Sequence, residues 1–184
     1  MIFSETGLEG VVVIELDPHH DARGSFARSF SAATFEAQGL LTRPVEANIA
    51  RNHEASTLRG LHYQREPHPD PKVVRCTSGS IFDVAVDLRA ESRTYLQWVG
   101  VELTARNAKA LHVPAGCAHG FLTLEDDTEV SYLMGETYRP ELAAGVRWND
   151  PAFGIAWPKE PAVMSERDSN FPDFTVDRSR LATS

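Results

Sequence analysis

Long apolar runs are missing from this chain of 184 residues. Its most hydrophobic stretches, such as 10-GVVVIELDP-18, stop far short of the length needed to span a bilayer. The opening 1-MIFSETGLEG carries acidic residues and no apolar centre, so no secretory signal is expected. Cysteine is nearly absent: Cys76 and Cys117 form one pair at most and no CxxC, which excludes a disulfide scaffold and fits a reducing cytoplasm. Basic residues are the minority, 18 Lys and Arg against 26 Asp and Glu, for a formal charge of −8. That balance argues against a nucleic-acid or anionic-membrane binder, although a few local arginines and lysines can still build a pocket for a small anion. There is no GxSxG elbow, no GxGxxG, no internal repeat and no low-complexity tract. The length is that of a single domain, residues 1–184, large enough to bury a core, with a loose tail expected over 175–184.

What is present reads as β structure. The stretch 10–18 predicts a strand ending at Pro18. A helix is predicted over 31-SAATFEAQG-39, with Ser31 placed to cap it and Gly39 to stop it. From residue 56 onward short strands follow one another: 72–76, 81–89, 97–103, 110–114, 120–125 and 128–134. In 81-IFDVAVDLR-89 the alternation places Phe82, Val84, Val86 and Leu88 on one face and Asp83 and Asp87 on the other. Turn signals such as 104-TARN-107 and 125-EDD-127 separate the strands at sandwich-like spacing. The prediction is an all-β, antiparallel double-sheet barrel of the jelly-roll kind with a few short helices.

Five polar residues fall within or at the ends of these strands: His62, Lys72, Asp83, His119 and Tyr132. Each alone is a satisfied structural side chain as readily as a functional one, but together they define three competing chemistries. The stretch 114-PAGCAHGF-121 has the PxGxxH form of half a metal-binding cupin. His62, however, is followed by Tyr63 and Gln64, not a second histidine, so a first-row metal is short of ligands. A nucleophilic hydrolase would have to use Cys117 with His119, two residues away. Metal-free acid–base chemistry needs a base, an orienting group, a cation for a developing oxyanion and an acid. Histidine, carboxylate, lysine and tyrosine supply that set, which suits removing and returning a proton beside a carbonyl.

Eight motifs then fall in order: 21-DARGSF-26, 58-LRGLHYQ-64, 72-KVVRC-76, 82-FDVAVDLR-89, 98-WVGVELTARN-107, 113-VPAGCAHGF-121, 145-GVRWNDPAFGIAWP-158 and 163-VMSERD-168. In this respect the chain resembles the dTDP-4-dehydrorhamnose 3,5-epimerase family of nucleotide-sugar enzymes from residue 21 to Phe174. The resemblance implies a cupin-like jelly roll, a homodimer, no metal and no cofactor. It assigns proton abstraction to His62, orientation of that histidine to Asp168 in 165-SERD-168, enolate stabilisation to Lys72 and proton return to Tyr132. A carboxylate fixes the imidazole tautomer and stabilises its charged form, which matches the chemical requirement. By the same resemblance Arg59 and His119 hold the substrate and its phosphates, and Tyr138 stacks on the base. Glu46, Asn48, Gln64 and Arg167 belong to the substrate-binding set, and Arg23 and Phe26 reach the neighbouring subunit's nucleotide.

In a 4-keto-6-deoxy sugar, C3 and C5 both flank the C4 carbonyl, and the implied reaction inverts one or both through an enolate. The departures from the family pattern face the nucleotide: Arg28, Glu46 and Ala47 in 46-EAN-48, and Ala143. They leave CDP or GDP open beside dTDP. A single-centre epimerase and, in another class, a non-catalytic sugar-nucleotide-binding jelly roll stand as alternatives.

Overall fold

The computed structural model describes residues 1–41 and 43–175; apart from Thr175, the tail expected to be loose lies outside them. Thirteen strands and two short helices are described, in the order β1 (Ile2–Glu5), β2 (Val12–Glu15), β3 (His19–Asp21), β4 (Gly24–Phe26), α1 (Ala32–Glu36), β5 (Glu46–Asn52), β6 (Leu58–Gln64), β7 (Lys72–Ser78) and β8 (Ser80–Asp87). They continue with β9 (Trp98–Thr104), β10 (Ala110–Val113), β11 (Cys117–Thr123), β12 (Thr128–Met134), β13 (Ala143–Gly145) and α2 (Glu166–Ser169). Two antiparallel sheets, β1-β2-β10-β7-β12-β5 and β13-β6-β11-β8-β9, face each other as a cupin-like jelly roll, and β3-β4 forms a separate hairpin. Among the described residues no helix is long and apolar enough to cross a membrane.

The main core lies between the sheets, where Val74, Leu111 and Val130 of one meet Ile81, Cys117 and Phe121 of the other. The outer face of the five-stranded sheet is buried as well: Leu61, Val84, Val86 and Ala118 pack under Val146, Phe153 and Trp157 of the C-terminal segment. This double burial reverses the natural reading of β8. Its apolar face, Val84 and Val86, points outward to that cover, and Asp83 and Asp87 share the inward face with Ile81 and Ala85. A covered outer face is as dry as the core, so period-two alternation here marks two different apolar environments and not a wet side.

The expected helix is shorter than its pattern, Ala32–Glu36, and Ser31 makes no side-chain cap bond to the backbone. Its stop is as read: Gly39, at φ +67°, lets Leu40 N–H reach the Phe35 carbonyl and Gly39 N–H the Glu36 carbonyl, a Schellman closure. The helix places Phe35 on Ile14, Val73 and Ala110, closing the outside of the six-stranded sheet.

Candidate active site

In the 58-LRGLHYQ-64 strand an arginine, Arg59, and a histidine, His62, stand three residues apart. In a regular strand they would face opposite sides. Here His119 pairs with His62 and Phe121 with Arg59, so three steps on β6 oppose two on β11: a β-bulge. The extra residue puts both Arg59 and His62 on the cavity wall. Gly60 makes this passable: it sits at φ +132°, and a Cβ there would lie 2.5 Å from Gly120 Cα.

The cavity, about 690 Å³, opens between the sheets and is lined by residues of both. From β6 comes His62, whose Nε2 lies 2.6 Å from Asp168 Oδ1; the histidine side chain is 43% exposed and the carboxylate nearly buried. Asp168 is held on both ends, its Oδ2 accepting the Gly60 N–H at 3.1 Å and its own N–H donating to Ser165 Oγ at 3.1 Å. Ser165 is the N-cap of α2, so the SERD motif is a capped turn that delivers its aspartate to the histidine. Burial pushes the Asp168 carboxyl up, but the bonds from His62 and Gly60 outweigh it and its pKa lies below the ordinary value. Phe171 packs edge-on to the His62 ring at 6.1 Å, and Arg167, also on the wall, lies over Phe171.

From the facing sheet come Lys72 and Tyr132. Lys72 is only 4% exposed and its Nζ lies 2.8 Å from Asp70 Oδ2. Burial, then the Asp83 carboxylate, drive the Tyr132 phenol well above its ordinary pKa, with Arg59 opposing, so it stays a protonated donor. His119 is buried with its Nε2 2.7 Å from Asp83 Oδ1, and its ring meets that of Tyr132 edge-on at 6.1 Å. Arg59 donates from Nε to Asn52 Oδ1 at 2.7 Å, and the Asn52 amide is oriented by its own Nδ2 bond to the Thr128 carbonyl.

Other expected residues are distributed less simply. Asn48 and Tyr138 line the cavity, as does Ala143. Gln64 does too, but its amide is engaged on three sides, donating to the His68 and Thr137 carbonyls and accepting from Arg139 N–H. It clamps the two loops at the mouth. Glu46 is not on the wall; its Oε1 accepts the Tyr138 N–H at 3.3 Å and so supports that ring. Arg23 and Phe26 lie on the β3-β4 hairpin away from this chain's own cavity, with Arg23 paired to Asp21. Cys117 is buried, and burial above all, with Asp87 adding, pushes its thiol up to about 12 despite Arg89 and Lys72, which disfavours the thiolate a hydrolase would need. Among the described residues no group of three or more His, Cys, Asp or Glu converges as a metal cage would.

Sequence reasoning gave no role to Asp70 or Asn52. Asp70 lies in the proline-rich 67-PHPDP-71, outside every predicted strand, and no strand is predicted over β5. The signal available was the N-x-x-x-N spacing of Asn48 and Asn52, which with Ala50 turns a polar face inward.

The sequence profile of the dTDP-4-dehydrorhamnose 3,5-epimerase family matches residues 5–175. The chain belongs to the dTDP-4-dehydrorhamnose 3,5-epimerase family. The dTDP-4-dehydrorhamnose 3,5-epimerase of Methanothermobacter thermautotrophicus is 44% identical over 172 residues, covering 92% of each chain. The crystal structure of the Bacillus anthracis epimerase, with TDP and PPi bound, superposes with a TM-score of 0.91 at 37% identity, over 94% of this chain and 99% of that one. The Legionella pneumophila epimerase in complex with dTDP-4-keto-L-rhamnose gives 0.86 at 33% identity, over 95% and 99%. The jelly roll expected from the epimerase resemblance is therefore the fold observed, over nearly the whole chain.

Proposed function

We propose that this protein converts dTDP-4-dehydro-6-deoxyglucose to dTDP-4-dehydrorhamnose by inverting C3 and C5 through C4 enolates. Membership of the epimerase family supports the substrate and the outcome. The observation that supports the mechanism is that side chains from opposite sheets line one cavity: His62 with Asp168 on the β6 side, Tyr132 with Lys72 on the β12–β7 side.

Asp168 accepts the Nε2–H of His62, leaving the Nδ1 lone pair as the base, and stabilises the imidazolium that forms. His62 takes the proton from C5 or C3. The C–H electrons form the C=C bond and move the carbonyl pair onto O4, where the Lys72 ammonium stabilises the charge. Tyr132 donates its proton to the other face of the same carbon, the enolate collapses to the ketone, and the centre is inverted. A high phenol pKa is no handicap here, because the acceptor is a strongly basic enolate carbon. His62 ends protonated and Tyr132 ionised, and both reset by exchange with solvent. Only protons move, so the bond changes require neither oxidant nor reductant.

The nucleotide end follows from Arg59 and His119 toward the diphosphate and the half-exposed Tyr138 ring against the base. In this reading Arg23 and Phe26 serve the neighbouring subunit of a homodimer. Support comes from their exposure, Phe26 78% and the Arg23 side chain 90%, and from the edge strand β5, where Ile49 is 65% exposed.

Incubation with dTDP-4-dehydro-6-deoxyglucose tests the reading. Formation of dTDP-4-dehydrorhamnose, abolished in His62→Ala, is expected. A protein that binds dTDP by calorimetry yet never changes the sugar would be a binding module and would overturn it.

A further inference from the structure

Of the two carboxylates on the cavity wall, Asp168 serves His62, and Asp70 has no part in the reaction just described. It is nonetheless built into the site. One oxygen, Oδ2, lies 2.8 Å from Lys72 Nζ, and the other, Oδ1, accepts the Gln64 N–H at 2.8 Å. Among the described residues no other carboxylate lies within ion-pairing distance of Lys72. The Gln64 backbone belongs to β6, two residues beyond the base His62, and the Gln64 side chain is pinned to the His68 and Thr137 carbonyls. Asp70 thus ties the strand that carries the base to the side chain that meets the oxyanion.

The local sequence makes that tie stiff. Asp70 stands between Pro69 and Pro71. A proline has its own φ fixed, and the residue before one is confined to extended conformations. Lysine otherwise presents a compact charge on a flexible four-carbon stem. Its ammonium has three N–H donors, of which Asp70 takes one and leaves two.

We infer that Asp70 is a positioning residue for Lys72, holding the ammonium in a single place so that its two remaining donors meet the C4 oxygen as charge develops. The inference rests on the role proposed above for Lys72. It also explains how a cation can stay buried in the free enzyme: the paired carboxylate offsets the cost of removing it from water. Because the pair forms before substrate arrives, the ammonium needs no reorganisation in the transition state.

A double-mutant cycle separates this from a structural role. Asp70→Asn keeps the shape but has only one oxygen for two donors, so Lys72 and the Gln64 N–H compete for it. Its kcat is expected to fall about tenfold to a hundredfold, the usual cost of a misplaced catalytic group. KM and dTDP affinity should change little, since the loss is confined to the transition state. In a Lys72→Ala background the same substitution should cost nothing further. Asp70→Ser, which also removes the charge, carries the cycle should Asp70→Asn fail to fold. An undiminished loss in the Lys72→Ala background, or a kcat unchanged by Asp70→Asn, would overturn the inference. A Lys72→Ala enzyme as active as wild type would instead remove the reading beneath it.

Discussion

Replacing Asp168 by asparagine changes one oxygen to an NH2, and the surrounding bonds dictate the outcome. The carboxylate accepts from two donors, His62 Nε2–H at 2.6 Å and Gly60 N–H at 3.1 Å. An amide has only one oxygen to offer. If the oxygen stays on Gly60, the NH2 faces His62 Nε2, which must then become an acceptor. The ring proton moves to Nδ1, and the nitrogen needed as base is blocked. If the oxygen turns to His62, the NH2 confronts the buried Gly60 N–H, leaving donors unsatisfied at a cost of about 1–3 kcal/mol. The productive tautomer is then populated about one part in five to one in a hundred and fifty, from that cost alone. Loss of the negative charge that stabilises the imidazolium lowers the rate further, so kcat should fall about 10²- to 10⁴-fold, the range of positioned proton transfer. The assay is product formation from the dTDP-4-keto sugar, with thermal unfolding and dTDP calorimetry as checks that fold and nucleotide site persist. An Asp168→Asn enzyme within about threefold of wild-type kcat would refute the argument.

Other expectations rest on the same geometry. Gly60→Ala should destabilise by on the order of 3 kcal/mol, combining a strained φ with a Cβ 2.5 Å from Gly120 Cα, seen as a lowered Tm; an unchanged Tm would show that the bulge relaxes freely. Asp87, fully buried, has its pKa raised by burial but lowered more by Arg89, Ser92 and Thr94, to about 2. Its folded value lies below the unfolded one, so its stabilisation of about 2 kcal/mol is present above pH ~4 and lost as pH falls toward 2. Denaturant titrations of Asp87→Asn should accordingly show a deficit at pH 6 that shrinks on acidification. Sedimentation should find a homodimer, and deletion of residues up to about Arg28 should abolish turnover; a fully active monomer would contradict the shared site.

Much of this was legible in the sequence, and the exceptions have physical causes. The strands with an apolar face, such as β7 and β12, lie close to where their patterns put them, because one face packs on the core. Strand β5 carries no such pattern because its inward face sets Asn48 and Ala50 on the cavity and a buried, hydrogen-bonded Asn52 beside them, and its outward face, Ala47, Ile49 and Arg51, lies at an open edge. Neither face carries the hydrophobic alternation that marks a strand. The His62–Asp168 pair joins residues 106 apart in sequence, a closure no local pattern encodes; it came from the family resemblance, and the capped SERD turn supplies its structural reason. Asp70 carries no strand or motif signal because prolines flank it on both sides, yet those prolines stiffen a residue that reaches into the site.

The central claim is that two carbons flanking one carbonyl are deprotonated from the His62 side and reprotonated from the Tyr132 side. Turnover of dTDP-4-dehydro-6-deoxyglucose in deuterated water, read by NMR of the sugar, tests it most directly. The account predicts deuterium at both C3 and C5 of the product, none at C2, and no incorporation with His62→Ala. Product that forms without solvent deuterium at either carbon, or incorporation that survives loss of His62, would contradict it.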